Sequence, residues 1–305
     1  MKKIKNIISK LLVFITIIGL GYYYEIYEEP QEKHEVSKRQ IEVQPTLKED
    51  TNNLKVYFID VGQGDCILIE KNNKYALIDA GNNRDGKKLV NYFKELGITS
   101  FKYVIGTHPH EDHIGGMDDI IKNFNVEHYL MPDLITPTPT FEEVLKQLEL
   151  KDIKYEVPEI NSKFKLGDAK FQTIYLDNNE DDLNNSSIVL KLTYKNISYL
   201  FMADAEKTTE LKILDKDIKS DVLKVGHHGT KYATTNEFLN VVKPTYSIIS
   251  VGKNNDYGLP KQEILNRLRN KEIKVYRTDT KGTIISTTDG ESISFETIKT
   301  DTNGE

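Results

Sequence analysis

Thr107-His108-Pro109-His110-Glu111-Asp112-His113 holds four side chains that commonly bind metal, His108, His110, Asp112 and His113, within six residues. The stretch follows the apolar run Tyr103-Val104-Ile105 and ends in Gly115-Gly116, which suits a tight strand-to-helix turn. In an extended chain, side chains of one parity share a face, so His108, His110 and Asp112 start on one side and His113 on the other. Pro109 fixes its own backbone and biases His108 toward extended geometry. Neutral imidazole and carboxylate suit zinc and related divalent ions. One ion cannot easily take four ligands packed this tightly, whereas two neighbouring ions can. A two-metal site is therefore expected rather than a solvated His/Asp loop. Two close dications would make water a nucleophile near neutral pH and hold a phosphoryl or acyl oxygen as charge develops on it.

Three more groups stand where an apolar strand gives out beside a small residue. Asp79 follows Ala76-Leu77-Ile78, Asp204 follows Leu200-Phe201-Met202-Ala203, and His227 follows Val222-Leu223-Lys224-Val225-Gly226. Each taken singly reads as a turn-forming Asp or a packed His. Strand ends along one sheet edge converge, so four such ends can line one cleft.

The elements needed to hold them are legible as alternating or apolar runs. Strands are expected over 55–59, 66–70, 75–79, 103–106, 171–176, 188–194, 197–202, 222–225 and 246–251, with three more between 274 and 295. Helices are expected over 87–96, 117–124, 141–148, 208–214, 237–242 and 262–269. Strand-rich halves, each followed by helices, give an α/β protein of two packed sheets with helices outside.

The chain has 305 residues, 38% hydrophobic and 29% charged, with net charge −6. Residues 1–50 carry eight charges of each sign, so the negative balance lies in the remainder. A nucleic-acid binder usually has a basic surplus; bound dications would supply positive charge locally. Cys66 is the only cysteine, which excludes an internal disulfide or a thiolate cluster. Its apolar surroundings make it a core residue.

Lys2, Lys3, Lys5 and Lys10 precede an uncharged stretch over 11–24, the pattern of a signal peptide or an uncleaved membrane anchor. Residues 25–53 are rich in Glu, Lys and Gln and read as a low-order tether. Residues 54–298 form the expected globular domain, which holds the metal-type ligands. An extracellular or membrane-anchored location follows, with the domain outside the cytoplasm.

In motif order the chain resembles the metallo-β-lactamase superfamily of hydrolases, and within it the hydrolase domain of ComEC-type competence (DNA internalisation) proteins. The resemblance rests on Phe58-Ile59-Asp60-Val61-Gly62-Gln63-Gly64-Asp65, Leu77-Ile78-Asp79-Ala80-Gly81 and the loop at His108. Asn185-Ser186-Ser187-Ile188, Ala203-Asp204 and Leu223-Lys224-Val225-Gly226-His227-His228-Gly229 extend it. It implies an αββα sandwich of two mixed sheets with the site between the sheet edges. It also implies two divalent ions, zinc with manganese as the alternative. His108 and His110 would hold one ion; Asp112, His113 and His227 the other; Asp204 would bridge both. Asp79, Asp112 and His228 form the implied catalytic set, Asp79 by orienting neighbours and His228 by donating to the substrate oxygen or else by packing. Lys231 and Lys253 are candidates for neutralising a substrate phosphate.

Two departures from the pattern stand out. The histidine that many members place before the bridging aspartate is absent; the only histidine between His113 and Asp204 is His128, in a strand, and Asn184 or Asn185 stands in the expected region. The usual Gly-His-Pro-His reads Gly258-Leu259-Pro260-Lys261 here, a change that bears on nuclease activity more than on metal binding. The leading expectation is a two-metal phosphodiesterase or nuclease, with DNA among the candidate substrates. Its alternatives are hydrolysis of another ester or amide (a phosphocholine ester, a lactone, a β-lactam) and a metal-stabilised binding module without turnover. The sequence identifies no protein partner.

Overall fold

Parity along the first strands decides which way the chain builds. In β1 (Leu54–Phe58), Leu54, Val56 and Phe58 face one side and Tyr57 the other. Ile67 and Ile69 of β2 (Ile67–Lys71) join the first side, and Leu68 the second. β3 (Lys74–Ile78) repeats the division, with Ala76 and Ile78 against Leu77. Both faces of the sheet are thus apolar, and each needs a cover. Between β2 and β3, Asn72 and Asn73 both take positive φ (52° and 55°), as a two-residue hairpin turn requires.

The computed structural model describes residues 52–178 and 182–299. The first sheet runs on through β4 (Ser100–Ile105), β5 (Asn125–Leu130) and β6 (Tyr155–Glu156), all parallel to β3. The second sheet holds β7 (Lys163–Leu166), β8 (Ala169–Tyr175), β9 (Val189–Tyr194) and β10 (Ile197–Phe201), antiparallel in sequence. It continues through β11 (Val222–Lys224), β12 (Tyr246–Ile249) and β13 (Lys274–Arg277), parallel to β10. The chain then returns to the first sheet: β14 (Thr283–Thr288) pairs antiparallel with β1, and β15 (Ile293–Ile298) with β14. Sheet orders are β15-β14-β1-β2-β3-β4-β5-β6 and β13-β12-β11-β10-β9-β8-β7.

The inner faces of the two sheets share one core. Phe58 meets Phe201 across it at 6.4 Å between ring centroids, and Tyr199 Oη lies 2.8 Å from Ser286 Oγ on β14. Outside the first sheet lie α1 (Gly86–Glu95), a short turn α2 (Glu111–Ile114), α3 (Met117–Asn123) and α4 (Pro139–Leu150). There Phe93, Phe101 and Phe124 pack edge to face with centroids 5.2–6.2 Å apart. Outside the second sheet lie α5 (Lys207–Lys212), α6 (Asn236–Val242) and α7 (Gln262–Asn270). The layers are αββα. Cys66 is buried in the outer core of the first sheet, where burial pushes its thiol pKa well up. The signal or anchor read at 1–24 and the tether, except its last two residues, lie outside the described residues. Among the described residues no helix is long and apolar enough to cross a membrane.

Candidate metal centre

Parallel strands end on the same side, so their following loops meet. Asp79 follows β3, Thr107 and His108 follow β4, Asp204 follows β10, and His227 and His228 follow β11. Asp79 leaves its strand at φ 57°, and its amide donates to Ile105 O of the neighbouring strand at 2.9 Å. Its carboxylate then accepts from Thr107 N (2.9 Å), Thr107 Oγ1 (2.8 Å) and His113 Nδ1 (2.8 Å). Burial raises the Asp79 pKa above the usual carboxylate value, against the downward pull of His113.

The parity expected for the histidine loop holds only as far as His110. From Glu111 the chain winds into the turn α2, and His113 swings back to His108's side, with ring centroids 4.2 Å apart. Gly64 lets the opening loop of the domain approach this turn. Its φ is +142°, and a Cβ there would stand 2.4 Å from Asp112 O. The Asp65 amide donates to that same carbonyl at 3.1 Å.

The side chains converge on Asp204, which is 2% exposed. Its Oδ1 is 3.2 Å from His113 Nε2 and 3.5 Å from His228 Nε2. Its Oδ2 is 3.6 Å from His227 Nε2 and 3.9 Å from His108 Nε2. His108 Nε2 is 3.1 Å from His110 Nδ1, and His228 Nε2 is 3.2 Å from Asp112 Oδ2. Two sets result, each with its donor atoms within 4.8 Å of one another: His108, His110 and Asp204, and Asp112, His113, Asp204 and His228. Asp204 belongs to both. His113 Nε2, His228 Nε2 and Asp204 Oδ1 are buried and make no hydrogen bond. Buried polar atoms left unpaired are costly. Three of them facing one another, with two carboxylates and neutral-capable imidazoles, form the donor set a divalent ion takes. The residues fit the metal.

The placement of the adjacent histidines differs from expectation. The family resemblance implied His227 for the ion of Asp112 and His113, and a donating or packing role for His228. The structure brings His228 to that group and His227 to the outer side of Asp204. Both residues take positive φ (45° and 51°), and their rings stand 73° apart in plane. His228 Nδ1 donates to Ser250 O at 2.9 Å, so Nε2 is the ring nitrogen turned to the centre. His227 Nδ1 donates to Glu206 Oε1 at 2.8 Å, with the same consequence.

Electrostatics divide the histidines. Burial, reinforced by His113, holds His108 well below its ordinary pKa. Burial lowers His110 as well, against the pull of Asp204. Burial opposes protonation of His113 too, but Asp204, Asp79 and Asp112 together hold it well above. His228 is raised against its burial by Asp204, Asp112 and Asp65, and His227 by Glu206 and Asp204. Asp112 and Asp204 are both depressed: burial works against this, and the histidines, His113 foremost, outweigh it.

Other residues of interest lie at or beyond the rim. Lys231 Nζ sits 5.0 Å over the Tyr232 ring, in a pocket of about 420 Å³ that Glu206 also lines. Lys253 is exposed in the loop after β12. His128 pairs with Glu156 at 2.6 Å and stacks on Tyr103, a structural role on β5. Asn185 accepts from Glu206 N and Thr209 Oγ1, tying the loop before β9 to α5. Ser187, not an asparagine, reaches the centre: its Oγ lies 3.4 Å from His108 Nδ1 and accepts from Asp204 N at 3.3 Å. The segment lacking the two histidines packs on the His227–His228 loop, where Lys261 N donates to Gly229 O at 2.9 Å. Sequence reasoning missed Thr107, Ser187, Glu206 and Ser250. Thr107 and Glu206 carried a signal in their closeness in sequence to His108 and Asp204, and Ser187 in its place within Asn185-Ser186-Ser187-Ile188.

The pattern of the metallo-β-lactamase superfamily matches residues 59–253, well over half of the chain. The chain belongs to that superfamily. It is 32% identical over 251 residues to ComE operon protein 3 of Bacillus subtilis (strain 168), covering 75% of this chain and 32% of that protein. It is 27% identical over 238 residues to Competence protein ComA of Neisseria gonorrhoeae, covering 76% and 32%. It thus spans about a third of the length of these curated relatives. Among solved structures, the metallo-beta-lactamase fold protein YhfI from Bacillus subtilis matches at a TM-score of 0.53 and 13% identity, covering 77% of this chain and all of that one. The metallo-β-lactamase fold and the His/Asp cluster make the protein a metal-dependent hydrolase of the superfamily, related to the competence proteins.

Proposed function

We propose that this protein is a two-metal phosphodiesterase acting outside the cytoplasm, with DNA among its substrates. The observation that carries the reading is Asp204, one carboxylate common to two donor sets. Two close dications with a shared ligand suit in-line displacement at phosphorus, where they activate water and steady the attacking and leaving oxygens. Zinc fits the nitrogen and oxygen donors, and manganese is the alternative. His108, His110 and Asp204 would hold one ion; Asp112, His113, His228 and Asp204 would hold the other. His227 presents Nε2 to Asp204 Oδ2, the oxygen that also faces His108, so it would add a third nitrogen to the ion of His108 and His110, in place of the histidine that the segment before Asp204 lacks. Asp79 and Glu206 act by orienting His113 and His227. Lys231, in the pocket beside Glu206, and Lys253 neutralise substrate phosphates. The likeness to competence proteins supports a nucleic-acid substrate. A basic leader followed by an apolar stretch at 1–24 supports export or anchoring.

The test is metal content of the purified protein, followed by assays on phosphodiester, DNA, phosphocholine ester and β-lactam substrates, with Asp204→Ala as control. Two ions per chain and Asp204-dependent phosphodiester cleavage are expected. Turnover of a different ester or amide would replace the substrate class. Two ions without turnover on any substrate would make the protein a metal-stabilised binding module.

A further inference from the structure

Two motifs of the chain have no part in the reading above: Asp65, which closes the opening Gly62-Gln63-Gly64-Asp65 turn, and Lys224, set within the apolar strand β11. Both are 1% exposed. Lys224 Nζ meets Asp65 Oδ2 at 2.8 Å and donates to Val225 O at 3.1 Å. The other Asp65 oxygen, Oδ1, is buried with no hydrogen bond and lies 3.5 Å from His228 Nδ1. The Asp65 backbone also joins the segments around the centre. Its N–H donates to Asp112 O at 3.1 Å, and its C=O accepts from Gly81 N at 2.9 Å. A buried ion pair is costly to desolvate and is weak evidence for stability, so its presence calls for another reason.

We infer that the Asp65–Lys224 pair is a positioning device for the His228 side of the metal centre. The inference rests on the two-metal reading of that centre. Asp65 carries negative charge next to the His228 Nδ1–H, which strengthens the imidazole as a donor through Nε2. Lys224 keeps Asp65 from serving as a ligand itself. That restraint matters because Asp65, Asp79 and His113 also bring their donor atoms within 4.8 Å of one another, a competing set on the wrong side of His113. The ammonium holds Asp65 on the β11 side, so an ion settles with Asp112, His113, Asp204 and His228. The pair joins the first motif of the domain to the motif that supplies the last histidine, 159 residues later.

The test removes both charges together, because losing one alone strands the other in the interior. Wild type and Asp65→Asn/Lys224→Met are titrated with Co2+, with far-UV circular dichroism as a check on fold. Wild type is expected to bind two ions. The double variant is expected to keep one at wild-type affinity and to bind the other about 10- to 100-fold more weakly. Ring-nitrogen NMR should assign the weakened ion to His113 and His228, with the His108 and His110 signals unchanged. Two ions at wild-type affinity, or equal weakening of both, would overturn the positioning role while leaving the metal reading intact. A wild type that binds no ion would instead remove the metal reading, and this inference with it. Asp65→Asn/Lys224→Gln, which keeps a polar group at both positions, covers a double variant that does not fold, with the same expected and overturning results.

Discussion

Replacing Asp79 by asparagine changes only one atom type, yet it should switch a tautomer. The carboxylate accepts three hydrogen bonds, from Thr107 N, Thr107 Oγ1 and His113 Nδ1. The asparagine carbonyl can keep the bond to Thr107 N, and the Thr107 hydroxyl can rotate to accept from the new amide. His113 cannot adapt so freely. Facing an NH2 donor, its Nδ1 must become the acceptor, which moves the ring proton to Nε2. That atom is the one facing Asp204 at 3.2 Å. Ion binding then requires the ring to revert without the bond from Nδ1 to a carboxylate that wild type keeps, a hydrogen bond to a charged group worth about 1.5–3 kcal/mol. Supporting groups of this kind typically change metal affinity by about 10- to 100-fold, or roughly 1.4–2.8 kcal/mol. The two routes agree. Isothermal titration with zinc should therefore show one ion weakened by that factor in Asp79→Asn. With zinc well above its Kd, the added thermal stability of the holo form should shrink by the same energy. A variant that binds both ions within twofold of wild type, with an unchanged circular dichroism spectrum, would refute the tautomer argument.

The metal-free centre should be pH-sensitive in a defined direction. His113, His227 and His228 have folded pKa values above the ordinary 6.5, so their contribution to stability is fully present below about pH 6.5 and is lost as pH rises through the raised values. Asp112 and Asp204 are depressed, so their contribution is present above their ordinary 3.8 and fades as pH falls through the folded values. Urea unfolding of the chelated protein across pH should show both flanks, and a flat alkaline flank would refute the histidine assignment. Metal binding must expel the histidine protons, so zinc titrations at pH 7 in buffers of different ionisation enthalpy should reveal proton release. Gly64→Ala should destabilise the fold by at least about 1–3 kcal/mol, because the new Cβ meets Asp112 O at a positive φ. The urea midpoint should fall with an unchanged m-value, and a neutral result would show that the opening loop has room to move.

What the sequence revealed of this site depended on the kind of information each residue carried. Asp79 and Asp204 were legible because an apolar strand stops beside them, and strand ends are a matter of pattern. The layered sandwich was legible for the same reason. The facing of His113 was not, since α2 interrupts the extended geometry on which parity depends, and a four-residue turn leaves little periodic trace. The choice between His227 and His228 was also hidden. It turns on two successive non-glycine residues in the left-handed region, a conformation that local propensity opposes. The return of β14 and β15 to the first sheet is a long-range pairing, and an isolated strand does not declare its neighbour. Lys224 was a further overlooked hint: a charge inside Val222-Leu223-Lys224-Val225 demands a buried partner, and Asp65 is that partner.

Four residues at the centre, Asp79, Ala203, His227 and His228, have positive φ without being glycine. Each either carries a site side chain or immediately precedes one. Strained positions of this kind cost about 1–3 kcal/mol apiece, so the four together come to roughly 4–12 kcal/mol, comparable to the whole net stability of an ordinary domain. Hydrogen bonds at the same loops offset part of this: three to Asp79, one from His227 N to Ala203 O at 2.9 Å and one from His228 to Ser250 O. The remainder is borne by the two-sheet core beneath, which is apolar on both faces of both sheets. The strain turns the chain sharply at the strand ends and aims side chains from four separate loops at one point. A site that leaves His113 Nε2, His228 Nε2 and Asp204 Oδ1 buried without hydrogen bonds is then held in place by the scaffold, and an ion would satisfy those atoms rather than fold the loops.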